Sequence, residues 1–158
     1  MTRLRHHLAL ALLVLALPLG ANRSAPVSFS VDLSPATAYT VASHASGCPE
    51  WVLHGIAFAE SSERDDAIGD GGESVGRFQL REIYHEARAA RWGEYDPRDP
   101  TEAGIIAGLI YMENLAALGN EDDAIAAYRQ GIGGVRKNGA TSWYVERVKG
   151  VRTCRRRA

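Results

Sequence analysis

The stretch DPTEAGIIAGLIYMENLAALG, residues 99–119, decides the fold class of this chain. Asp99, Pro100 and Glu102 make a helix start of the capping-box type. The aspartate accepts from the orphan amides of the first turn, proline forfeits no hydrogen bond at the first helical position, and the glutamate stands third. Between this start and Gly119, a residue suited to a left-handed helix end, run Ile105, Ile106, Leu109, Ile110, Met112, Leu115 and Leu118. A helix apolar nearly all round belongs in a core, so residues 103–118 are predicted to form the central buried helix.

Outward from it, spacing predicts further helices. Pro49 suits a first turn, and Val52, Ile56 and Glu60 stand four apart beside Leu53 and Ala57, which predicts a helix over residues 51–61 with one stripe. A second helix is expected over 76–91, where Phe78, Leu80, Ile83, Tyr84 and Ala87 supply an apolar side, followed by a turn over 93–97. Shorter helices are expected over 122–130 and 141–149, separated by a glycine-rich turn over 131–139. The expected fold is mainly α, a single domain of about five helices around the central one.

The amino terminus reads as a secretory signal over residues 1–21: Arg3 and Arg5, an apolar run from Leu8 to Leu19, then Gly20 and Ala21. That run falls short of the ~20 residues needed to cross a bilayer, and Pro18 interrupts its end, so no stable membrane span is expected. Residues 22–47, rich in Ser, Ala, Thr and Pro, read as a flexible leader, with short strands around 27–33 as the alternative. The domain then covers residues 48–154, and 155–158 form a basic tail.

The only two cysteines, Cys48 and Cys154, stand at the two edges of that domain. Export favours oxidation, so a disulfide between them is expected, worth about 4 to 5 kcal/mol by loop entropy. Of the 18 Lys and Arg, the signal holds two, which leaves 16 against 19 acids. The basic residues from Arg147 to Arg157 crowd the carboxyl end but follow no reader motif, so nucleic acid is not an expected partner. His54 and His85 have no metal-ligand spacing and are expected as surface or capping residues; no metal or cofactor is implied.

Glu60 is the residue that points to chemistry. A glutamate on an apolar stripe is partly removed from water, which disfavours its charged form and lifts its pKa toward that of a general acid. The acids that follow, Glu63, Asp65, Asp66, Asp70 and Glu73, lie in a polar glycine-bearing stretch where water keeps them ionised. The alternative for Glu60 is a carboxylate at a helix end, hydrogen-bonded to the following loop.

The run ESSERDDAIGDGGESVGRFQL, residues 60–80, resembles the signature of lytic transglycosylases with the soluble-type catalytic domain, related in fold to goose-type lysozyme. Five elements match in order: Glu60-Ser61, the Gly-x-x-Gln element Gly76 to Gln79, Tyr111 in the long helix, Ala127 to Gly131, and Tyr144-Val145. Together they reach across most of residues 48–151. Two departures stand out: Arg129 occupies the place of the family's usual Asn, and the glycine-rich loop is one residue longer than the commonest form.

The resemblance implies a lysozyme-like fold, a place in the cell envelope (secreted or periplasmic), and cleavage of peptidoglycan glycan strands by a monomer. Enzymes of this type also serve envelope-spanning assemblies. It makes Glu60 the catalytic acid and leaves substrate contacts to Ser62, Ser74, Phe78, Gln79, Tyr111, Tyr128, Gln130 and Tyr144. Three readings follow: a lytic transglycosylase, a lysozyme-type hydrolase in which Asp66 or Asp70 partners Glu60, and a peptidoglycan-binding module without turnover, suggested by Arg129.

Overall fold

Caps and glycines set the element boundaries in the computed structural model, which describes residues 35–155. Six α-helices occupy them: α1 (Pro35–Ser46), α2 (Glu50–Ser61), α3 (His85–Trp92), α4 (Pro100–Leu118), α5 (Glu121–Asn138) and α6 (Ser142–Arg155). Between α2 and α3 lie three two-residue strands, β1 (Ile68–Gly69), β2 (Ser74–Val75) and β3 (Leu80–Arg81). The mainly helical class is as expected. The expected signal over 1–21, the alternative strands around 27–33 and the tail beyond 155 lie outside the described residues.

α4 begins as its sequence dictates. Asp99 Oδ1 accepts from the amides of Thr101 at 2.9 Å and Glu102 at 2.8 Å, and Gly119 closes the helix in the left-handed region at φ 69°. Glu102 departs from the reciprocal pattern: it accepts from the Asp96 amide at 2.7 Å, tying down the preceding turn. The face of α4 that packs most tightly is its small-residue stripe, Ala103, Gly104, Ala107 and Gly108, all buried. A Cβ on Gly104 would stand 2.9 Å from Ala42 Cβ, and one on Gly108 would meet Ser46 and stand 3.1 Å from Cys48 Cβ. Small residues thus let a neighbouring helix approach, while Ile105, Leu109, Ile110 and Met112 are only half-buried.

That neighbour is α1, and it corrects the expected leader over 22–47. Residues 35–46 are helical and belong to the core: Tyr39 is 1% exposed and Ala42 0%. Gly47, at φ 74°, ends the helix with its amide on Ser43 O at 2.9 Å. Composition suggested a leader because Ser, Thr and Ala carry little apolar signal. Packing beside glycines needs exactly such short side chains, so weak hydrophobicity here reflects closeness of fit.

The expected helix over 76–91 is also corrected. Only residues 85–92 form an α-helix; before them runs an antiparallel hairpin pair in which Ile68 faces Val75 and Val75 faces Leu80. Gly76 at φ 74° and Gln79 at φ 48° lie in the left-handed region, which a right-handed helix cannot contain. Gly76 is required there, because a Cβ would meet the Pro97 carbonyl. Phe78 and Leu80 are buried while Ile83 and Tyr84 are exposed, so the apolar side inferred from spacing does not exist.

α5 runs longer than the expected 122–130. Asn120 caps it, Asp122 and Asp123 offering their amides at 2.8 and 3.2 Å, and acids in its first turn and bases in its last complement the helix dipole. Gly131, at φ 71° and ψ 158°, breaks it where the first helix was expected to end, but helical geometry resumes over what was read as a turn. α6 packs antiparallel on α2: Arg152 sits 4.7 Å over the Trp51 ring, and Arg147 5.1 Å over Phe58. Gly55 permits the approach, since any side chain there would meet the Val148 backbone.

Candidate active site

The stripe of α2 does what its sequence implied: Val52, Leu53, Ile56 and Ala57 are fully buried, and Glu60, one turn on, is half-buried at a cleft of about 680 Å³. Asp70, Ser74 and Gln79 line the same cleft from the hairpins, and Tyr128, Arg129 and Gln130 line it from α5. Tyr144, 84 residues from Glu60 in the chain and fully buried on α6, donates its hydroxyl to Glu60 Oε1 at 2.5 Å.

Burial raises the Glu60 pKa above the ordinary carboxylate value and Asp70 adds to the rise; the Tyr144 hydroxyl, Arg129 and Arg147 pull the other way. Burial also holds the Tyr144 and Tyr128 phenols well above 10, so both keep their protons and Tyr144 acts as a donor. Removing that donor takes away an influence that favours the carboxylate. Tyr144→Phe is therefore expected to move the Glu60 midpoint further up, read by ¹³C NMR of labelled glutamate carboxyls; an unchanged or lower midpoint would count against the hydrogen bond.

The backbone around Glu60 is held from behind. Ser61 Oγ donates to Arg77 O at 2.8 Å and accepts from the Arg64 amide at 3.0 Å, joining the end of α2 to the loop before β3. Arg77, buried, grips Asp65 with two bonds of 2.7 and 2.8 Å. Beside them Glu63 Oε1 accepts from Tyr39 Oη at 3.2 Å and lies 3.0 Å from His54 Nδ1, with the Tyr39 and His54 rings 3.5 Å apart. His54 is 4% exposed, which corrects its expected surface place.

The residues named from sequence divide sharply. Glu60, Ser74, Gln79, Tyr128 and Gln130 meet at the cleft, and Tyr144 binds Glu60 directly. Ser74 donates to Asp70 Oδ2 at 2.8 Å, Gln79 Nε2 to Gly76 O at 2.9 Å, and Gln130 Nε2 to Gly139 O at 2.8 Å. Tyr128 Oη donates to Phe78 O at 3.0 Å, and the Phe78 ring is fully buried in the core and does not line the cleft, which corrects its expected substrate contact.

Besides Phe78, two more do not reach the cleft. Ser62 is the exposed left-handed cap of α2, at φ 57°, where the chain turns away; Tyr111 is buried in the core, its phenol pushed up to about 12 by burial. Cys48 carries a free buried thiol, pushed up to about 12 by burial, and its expected partner Cys154 has a side chain outside the described residues. Sequence reasoning missed Arg81, Arg88 and Tyr84, which also line the cleft. Arg81 and Arg88 gave only charge on a supposed helix, which does not separate a site from a solvated face, and Tyr84 was read as part of that helix's apolar side. Asp70, one of the two proposed partner acids, lines the cleft; Asp66 is exposed and does not.

No family model matches the chain, and no curated protein matches it. Among the described residues no group of three His, Cys, Asp or Glu is arranged to hold a metal ion, and no helix is long and apolar enough to cross a membrane.

Proposed function

We propose that this protein is a lytic transglycosylase of the cell envelope that cuts the β-1,4 bond between N-acetylmuramic acid and N-acetylglucosamine in peptidoglycan. The observation that carries the reading is a glutamate whose burial favours its protonated form, held by a tyrosine hydroxyl in a cleft of about 680 Å³ that can admit sugar rings. The lysozyme-like fold belongs to the same proposal, on the strength of the ordered elements from Glu60 to Val145.

Glu60 donates its proton to the glycosidic oxygen as the bond to the muramic anomeric carbon breaks. The departing sugar leaves with that proton on its 4-hydroxyl. Tyr144, still donating to Oε1, stabilises the carboxylate that forms. This carboxylate then takes the proton of the muramic 6-hydroxyl, whose oxygen closes on the anomeric carbon to give a 1,6-anhydro ring. Glu60 ends protonated, ready for the next bond. The substrate supplies the nucleophile, so one catalytic carboxylate suffices where ordinary glycosidases use two.

Asp70 in the same cleft keeps a hydrolytic reading in play, because a second carboxylate could activate water. Mass spectrometry of soluble fragments from purified peptidoglycan separates the two. Anhydro-muropeptides are the expected product; reducing ends would make the protein a lysozyme-type hydrolase, and binding with no fragments a non-catalytic module.

A further inference from the structure

We infer that the cleft selects glycan strands bearing carboxylates on the muramic lactyl arm, and that Arg129 and Arg88 are the residues that read them. This rests on the reading of the cleft as a peptidoglycan site and names what that site prefers.

Three guanidinium groups line the cleft, on Arg81, Arg88 and Arg129. They differ in what already binds them. Arg81 is neutralised by Glu73 at 2.5 Å. Arg88 lies with its guanidinium carbon 5.4 Å from the Tyr84 ring centre and gives one N–H to Arg81 O at 3.0 Å. Arg129 lies 4.9 Å from the Trp143 ring centre and 5.9 Å from that of Tyr144. Among the described residues, no carboxylate stands within salt-bridge distance of Arg88 or Arg129.

The acids in the lining do not cancel these charges. Glu60 is biased toward its neutral form, which leaves Asp70, bonded to Ser74 and beyond salt-bridge distance of either arginine, as the one lining carboxylate set against two guanidiniums. Arg88 and Arg129 therefore face the cleft without an ion-pair partner among the described residues and outnumber its one charged carboxylate, in a chain whose formal net charge is −1, so the excess is local arrangement and not composition. Both guanidiniums lie over aromatic rings, a cation–π contact that limits their freedom without using up their N–H groups. A neutral sugar hydroxyl gives such a fork one acceptor; a carboxylate gives two in matching geometry.

In a strand of alternating N-acetylglucosamine and N-acetylmuramic acid, carboxylates hang only from the lactyl ether of the muramic residue. They come either as the free lactyl acid or on the stem peptide attached to it. Arg129 follows Tyr128 directly and stacks on the tyrosine that binds Glu60, so it stands beside the residue whose muramic bond would break.

The test is isothermal titration of three strand preparations in the Glu60→Gln background, where nothing is turned over: stemmed strands, strands stripped to the free lactyl acid, and stripped strands with that acid converted to a methylamide. At least one carboxylate-bearing preparation is expected to bind about tenfold tighter than the methylamide, a difference of about 1.4 kcal/mol, and the tighter of the two identifies the source. The preference should shrink with added salt and collapse in the Arg88→Gln, Arg129→Gln double variant, with Arg129→Lys retaining part of it. Equal affinity for all three strands, or a preference that survives the double variant, would overturn the inference. Absence of fragments from the unmutated protein would instead sink the transglycosylase reading, while the affinity ratios would still decide this one.

Discussion

Glu60→Gln is expected to lower the rate of fragment release from peptidoglycan by about 100- to 10,000-fold, the range that a positioned general acid supplies. The substitution keeps the size of the side chain and an oxygen to accept from Tyr144, so it removes the proton donor and little else. Stability provides the control. The Glu60 pKa is raised in the folded state, so the neutral carboxyl is the form the fold prefers. Its contribution is present below the ordinary carboxylate range and is lost as pH rises through the folded pKa. Glutamine cannot ionise, so the variant should match the parent at low pH and unfold at an equal or higher denaturant concentration at pH 8. A variant that cleaves within threefold of the parent would exclude Glu60 as the acid. One that is inactive but clearly less stable at pH 8 would show that the carboxylate is structural.

The second large effect is expected outside the cleft lining, at Tyr39→Ala, with a loss of about 3 to 5 kcal/mol of folding stability. Tyr39 is 1% exposed, its ring lies 3.5 Å from that of His54 and 6.2 Å edge-on to Phe78, and Arg77 stands 5.2 Å from its centre. Such a loss is a large part of the ~5 to 15 kcal/mol that holds a domain together. Urea unfolding followed by circular dichroism measures it. Tyr39→Phe isolates the hydroxyl bond to Glu63 and should cost about 1 kcal/mol. A loss below about 1 kcal/mol for Tyr39→Ala would mean that α1 contributes little to the core.

The residues misjudged from sequence share a cause. Ser62 adjoins Glu60 in the chain, yet the left-handed turn at the end of α2 carries it away from the cleft. Phe78 and Gln79 are neighbours in the turn before β3, where the left-handed backbone at Gln79 parts them, so the glutamine lines the cleft and the ring fills the core. His54 is spaced like a surface residue, yet it is buried against the Tyr39 ring and beside the Glu63 carboxylate, both brought to it by other segments of the chain.

What the sequence determined by itself was local. It set the helical class, the start of α4 at Asp99 and its end at Gly119, and the position of Glu60 on a stripe otherwise made of core residues. Caps and a period of 3.6 act within a few residues, so they are readable along the chain. The tertiary structure decided what depends on distant segments meeting. It drew α1 into the core against the glycines of α4, folded 68–81 into hairpins around left-handed Gly76 and Gln79, and brought Tyr144 to Glu60. It also gathered Arg81, Arg88 and Arg129 about one cleft. No local pattern encodes these, because burial and the pairing of charges are properties of surfaces that exist only once the helices have packed.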